Sequence, residues 1–129
     1  MQLSCLYIAP AAGKGRGVFT NEPIAAGTLV EIAPVIVLPE KDKALIDQTY
    51  LYNYYFLWNE APQTYAIALG NVSVYNHAAH CNCEYLTYYE DEVVHIVALR
   101  DIEAGEELTI NYHGEPGSTD PVWFEKGAK

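Results

Sequence analysis

The sequence predicts a mainly β domain with short helices. Short runs rich in Val, Ile, Leu and aromatic residues recur along the chain, and Gly or Pro punctuates almost every one. Only one segment, residues 41–50, has the make-up of a helix of useful length. The chain has 129 residues, of which 50% are hydrophobic. That is enough for one core and not for two.

A first strand is expected at about residues 3–8. The glycine-dense loop Gly13-Lys14-Gly15-Arg16-Gly17 follows, and a second strand begins at Val18-Phe19. Pro23 and Ala26-Gly27 mark a further turn. Residues 29–32 and 35–38 read as two strands, divided by Pro34 and closed by Pro39. In the helix candidate, charged residues lead and Ala44, Leu45 and Ile46 follow. The aromatic run at residues 50–58 reads as core packing around a helix end or turn, with some rings available to line a pocket. Residues 65–69 form a short strand. Residues 85–89 and 93–99 form a hairpin around the acidic turn Glu90-Asp91-Glu92, and residues 109–112 form the last strand. From Gly114 onward the chain is loop-like apart from Val122-Trp123-Phe124.

The formal charge is -10 and the sequence pI is about 4.6. Nucleic-acid backbones need clustered Lys and Arg, so direct nucleic-acid binding is not expected. A Lys-rich protein tail would be attracted, although acidic charge also serves solubility alone. No apolar run approaches the ~20 residues of a membrane span, and the first ten residues lack a secretory pattern. The expectation is therefore an intracellular protein. Cys5, Cys81 and Cys83 are an odd number of cysteines and suit a reducing compartment.

Three constellations bear on chemistry. The loop around Gly15 and Gly17 lacks the spacing of a phosphate loop, and the Val18-Phe19-Thr20 that follows favours a strand over a helix. Its glycines fit a turn with positive φ, or a close backbone approach to a non-phosphate ligand with Arg16 free to reach out. The second is Tyr75-Asn76-His77-Ala78-Ala79-His80-Cys81-Asn82. Its His and Cys residues have poor metal-ligand spacing, since His80 and Cys81 are adjacent and Cys5, His95 and His113 stand singly. No metal site is expected, and Cys81 and Cys83 read as buried thiols. Cys81 beside His80 as a nucleophile lacks an orienting third group. The third is the run from Gly105-Glu106-Glu107-Leu108 to Asn111-Tyr112.

Taken in order, Gly15-Arg16-Gly17-Val18-Phe19, Asn76-His77 with Asn82, and Gly105-Glu106-Glu107-Leu108 ending in Asn111-Tyr112 strongly resemble the SET-domain protein lysine methyltransferases. The resemblance spans nearly the whole chain, whose size is similar to the minimal, free-standing SET domains of bacteria and large viruses. It implies a single SET domain over residues 1–129, with a core at about 3–113 and a short tail at 114–129 without zinc. It also implies several small antiparallel sheets around a pseudo-knot, in which residues 101–112 pass through a loop near residues 76–82. Ala78, Ala79 and Cys81 depart from the family's Ser, Cys and Pro. No Cys follows Tyr112, so the family's zinc-binding tail cysteines are absent. Some relatives place a Tyr in the strand after the glycine loop, where this chain has Glu31-Ile32-Ala33-Pro34. Part of its lysine channel must then come from other rings.

The activity so implied is transfer of the methyl group of S-adenosylmethionine to a lysine ε-amine of a protein. Gly15, Arg16 and Gly17 would hold the methionine end of the cofactor, and Asn76 and His77 its amino-acid and adenine portions. Trp123 or Phe124 would cover the adenine, and Tyr112 would place its hydroxyl beside the sulfonium and methyl. Tyr85 stands where some relatives have a channel Tyr that limits the number of methyl groups, with Tyr65 as a further channel candidate. The implied partner is a basic protein, histone-like or ribosomal, met in the cytoplasm of a bacterium or on eukaryotic chromatin. A homodimer could complete the peptide groove. A different class of function, a non-enzymatic SET-like module that binds Lys-rich peptides, has less need of Tyr112.

Overall fold

The computed structural model describes residues 1–112. Nine strands account for nearly half of them. β1 (Leu6–Ala11) and β2 (Gly15–Thr20) form a tight hairpin in which Ala11 faces Gly15 and Pro10 faces Arg16. Gly13 and Gly15 both take positive φ, +72° and +75°, so the glycines do serve a turn. β2 nevertheless begins three residues earlier than expected, because Gly15, Arg16 and Gly17 already pair with β1.

β3 (Leu29–Pro39) is one strand where two were expected. Pro34 sits where the ladder to β8 ends, opposite Val93, and the ladder to β5 begins, Val35 opposite Ala68. Its missing N–H therefore interrupts neither ladder. The helix expected over residues 41–50 shrinks to a 3₁₀ turn (Glu40–Asp42) and α1 (Lys43–Ile46). Neither piece buries a residue. A helix with no apolar face packed on the core has little to extend it.

The aromatic run is also corrected. It forms a 3₁₀ turn (Tyr50–Asn53) and then β4 (Phe56–Glu60), a strand not anticipated. Of its rings only that of Trp58 is fully buried. β5 (Gln63–Ala68) returns along β4, and a 3₁₀ turn (Val72–Val74) leads into the two-residue β6 (Asn76–His77). β7 (Cys83–Tyr88) and β8 (Val93–Ala98) form the expected hairpin. β9 (Glu107–Ile110) ends two residues earlier than expected and leaves Tyr112 beyond the strand, in a turn.

The strands make two sheets. One is five-stranded and antiparallel, in the order β4-β5-β3-β8-β7. The other runs β1-β2-β9-β6, with β9 inserted between β2 and β6. β9 pairs antiparallel with β2 and parallel with β6. Side chains from both sheets, among them Val18, Val30, Val94, Ile96 and Leu108, fill one core. No helix among the described residues is long and apolar enough to cross a membrane.

Candidate active site

Insertion of β9 brings the three sequence constellations together. The loop that follows β6 lies against β9 and is tied to it by a carboxamide. Asn82, 2% exposed, accepts from the Thr109 N–H through Oδ1 at 2.8 Å. Its Nδ2 donates to the Glu107 carbonyl at 2.8 Å and to the Glu106 carboxylate at 3.1 Å. The side chain thus acts as a short piece of strand. Ala78 N–H donates to the Ile110 carbonyl at 3.0 Å, and Asn111 Nδ2 reaches the Ala79 carbonyl at 3.4 Å.

On the other side of β9, Asn76 Nδ2 donates to the Arg16 carbonyl at 2.9 Å and to Glu107 Oε2 at 2.8 Å. Gly17 lies beneath this contact. A Cβ there would collide with Glu107 Oε2 and come within 3.0 Å of Asn76 Nδ2. Gly15 and Arg16 are exposed, Asn76 is half-buried and His77 is buried. These residues, proposed to hold a cofactor, form one continuous patch. Glu107 belongs to that patch and was missed. In the sequence it reads as an ordinary strand entry, and nothing local separates it from Glu106.

Tyr112 connects the patch to the interior. Its N–H donates to His77 Nδ1 at 3.0 Å, and the two ring centroids are 5.2 Å apart. Its hydroxyl donates to the Tyr75 carbonyl at 2.9 Å. Burial, helped by the nearby Tyr54 phenol and Glu107 carboxylate, pushes the Tyr112 phenol up to about 12. It is therefore neutral across the ordinary working range.

Behind Tyr112 opens a cavity of about 270 Å³. Its walls are mainly Tyr54, Tyr55, Phe56, Tyr75, Tyr85 and Tyr112, with Asn53 and Ser73 as polar groups. Tyr85 packs edge-on against Phe56, with centroids 6.5 Å apart, and burial raises its phenol above the usual value. Tyr65 stands one layer behind the wall rather than in it. Its ring stacks on Tyr55 at 5.4 Å and its hydroxyl accepts from Gln63 at 2.8 Å. The aromatic run was expected to offer some rings to a pocket, and Tyr54, Tyr55 and Phe56 are the ones that line it. Trp123 and Phe124 lie outside the described residues.

The thiols take no part in this arrangement. Burial pushes Cys83 up to about 12 and raises Cys81 as well. Among the described residues, no group of three or more His, Cys, Asp or Glu side chains stands close enough to hold a metal ion.

A strand threaded between two others, with a phenol at its end between a polar patch and an aromatic cavity, is the architecture of a SET domain. Residues 15–113 match the SET domain family model. The chain is 36% identical over 126 residues to the histone-lysine N-methyltransferase, H3 lysine-37 specific, of Schizosaccharomyces pombe, an alignment covering 97% of this chain and 80% of that protein. Its fold is similar to the crystal structure of a candidate histone methyltransferase from Plasmodium falciparum, with a TM-score of 0.67, 23% identity, and 92% and 96% of the two chains covered. The chain belongs to the SET-domain family of protein-lysine methyltransferases.

Proposed function

We propose that the protein transfers methyl groups from S-adenosylmethionine to a lysine ε-amine of a histone or similarly basic protein. The observation that carries this reading is the position of Tyr112. Its hydroxyl is held on the Tyr75 carbonyl, where the Asn76–His77 patch meets the aromatic cavity.

The residues present suit such a cofactor. With no Cβ at Gly17, the Glu107 carboxylate and the Asn76 carboxamide close onto the strand beside the exposed Gly15 and Arg16. Those groups match the charged amino-acid end of a methionyl compound. Residues 15–17 and Asn76 would hold that end and His77 would lie along the adenosine, with Trp123 or Phe124 covering it. Bound there, S-adenosylmethionine would supply an electrophilic methyl group.

The rest is positioning. The cavity rings exclude water from the aliphatic stem of the incoming lysine and align its amine with the Tyr112 hydroxyl. A lysine of reference pKa ~10.4 needs roughly 4–5 kcal/mol to lose its proton at pH 7. Desolvation among the rings lowers that cost. Tyr85 would limit the methyl count by occupying space and holding a water or the amine. The excess of acidic residues draws a basic tail toward the site. The H3 specificity of the fission-yeast relative makes histone H3 the first substrate to test and the nucleus the first place to look. Residues 1–129 would act as one catalytic domain, with residues 3–113 as its core.

The test is transfer of labelled methyl from S-adenosylmethionine to histone H3 and a panel of basic proteins. Label incorporated by the wild type and lost in Tyr112→Phe is the expected result. Cofactor binding without transfer to any protein of the panel would favour a peptide-binding module instead.

A further inference from the structure

The most deeply buried carboxylate in the described structure lies outside the site. Glu31 is 0% exposed, and among the described residues no cation pairs with it. Three donors satisfy it instead. Tyr75 Oη donates to Oε1 at 2.9 Å, and the Asn71 N–H and Gln2 Nε2 donate to Oε2 at 2.8 and 3.1 Å. The surroundings are shaped for it. The β3–β8 register shifts between Leu29 and Glu31, which allows the successive residues Val30 and Glu31 both to be buried. Gly70, at φ +62°, passes so close that a Cβ would strike Glu31 Oε2.

A buried carboxylate is a poor source of stability, because an apolar side chain of similar size avoids the desolvation cost. Its partner points to another role. Tyr75 is 1% exposed, and its phenol is clamped by Glu31. The carbonyl of the same residue accepts the Tyr112 hydroxyl at 2.9 Å. A buried phenol must keep its O–H on its acceptor, so the 2.9 Å bond to Glu31 Oε1 fixes how the Tyr75 ring lies as well as where. Fixing that ring fixes the backbone from which Asn76 and His77 extend.

We propose that Glu31 is a positioning residue that sets the Tyr112 hydroxyl through Tyr75. Its catalytic consequence rests on the methyl-transfer reading above. The hydrogen-bond chain itself does not.

The test uses Tyr75→Phe and Glu31→Gln, which keep side-chain volume, and the double variant. Steady-state methyl transfer is measured well below the melting temperature of each. In parallel, protein labelled with ¹³C at tyrosine Cζ is followed by NMR, with the Tyr112 resonance assigned by its loss in Tyr112→Phe. The expected result is a kcat about tenfold lower in Tyr75→Phe, with KM for peptide and cofactor within about twofold, as for an interaction that only places the reacting groups. The Tyr112 resonance moves in both single variants, and the double variant is no slower than Tyr75→Phe alone. Losses that add, or a lowered melting temperature with wild-type kcat and an unmoved Tyr112 resonance, would overturn the proposal. If wild type transfers no methyl, the functional reading fails, and the resonance still decides whether Glu31 and Tyr75 hold the Tyr112 hydroxyl.

Discussion

The main-chain N–H of Tyr112 donates to Nδ1 of His77, 3.0 Å away, and so holds that imidazole as the tautomer protonated on Nε2. The turn after β9 and the strand β6 are thereby locked by a side chain of one and the backbone of the other. Replacing His77 by Ala removes the ring that accepts there. Leaving the amide without its acceptor costs about 1 kcal/mol, and the phenol loses its fixed direction. His77→Ala is expected to lower the melting temperature by several degrees and methyl transfer by more than tenfold. Scanning calorimetry and the labelled-methyl assay check the two effects separately.

The pH dependence of the rate follows from the bound lysine. Below the pKa of the bound lysine, the rate should rise about tenfold per pH unit as the amine loses its proton. Tyr112, pushed up to about 12, adds no descending limb below pH 10. A profile flat between pH 6 and 9, with chemistry rate-limiting, contradicts this.

Stability has its own pH window. Tyr75, Tyr85 and Tyr112 all lie above the ordinary tyrosine value of 10 in the folded state. Above pH 10 the unfolded chain releases these protons first, and the folded protein binds more of them. Stability contributed by these groups is therefore complete below pH 10 and declines as pH rises toward 12. Urea denaturation followed by circular dichroism at pH 8, 10 and 11 should show that decline. Equal midpoints at pH 8 and 11 would count against it.

Tyr85 occupies the cavity wall beside Phe56. Removing its hydroxyl in Tyr85→Phe makes room for a methylated amine or a displaced water. Mass spectrometry of the product peptide should show a shift toward higher methylation states, at a total turnover within about threefold of wild type. An unchanged product distribution would place Tyr85 outside the methyl-count function.

Gly17→Ala tests the patch. The new methyl would push the Glu107 carboxylate aside and loosen the Asn76 amide that depends on it. Overpacking of this kind costs about 1–3 kcal/mol. S-adenosylmethionine affinity, measured by titration calorimetry, should fall about tenfold or more, the equivalent of ~1.4 kcal/mol.

The candidate site residues were legible through their resemblance to the SET family, whose motifs they carry in order. Gly15-Arg16-Gly17, Asn76-His77 and Asn111-Tyr112 are weak signals singly, and only their order and spacing along the chain carry the resemblance. The β7–β8 hairpin was readable from its alternating apolar residues and acidic turn. Other parts depend on tertiary partners that no local pattern announces. A lone Glu31 between apolar neighbours reads as a solvent-facing strand residue, and only Tyr75, Asn71 and Gln2 reveal that it is buried. Pro34 reads as a strand end unless the exchange of partners from β8 to β5 is known. Asn59 and Glu60 diluted the strand signal of β4.

The placement of β9 bears on when the enzyme becomes active. Its neighbours β2 and β6 come from distant parts of the chain, and Val18 must find Leu108 while Asn76 finds Thr109. Such long-range pairings close late in folding. Until they close, Arg16 has no Asn76, Asn76 has no Glu107, and Tyr112 has neither His77 nor the Tyr75 carbonyl. A partly folded chain would hold no half-built version of the site and would have no weak, indiscriminate activity. Methyl transfer would begin only once β9 is seated between β2 and β6, so that activity in a nascent or refolding sample counts finished molecules.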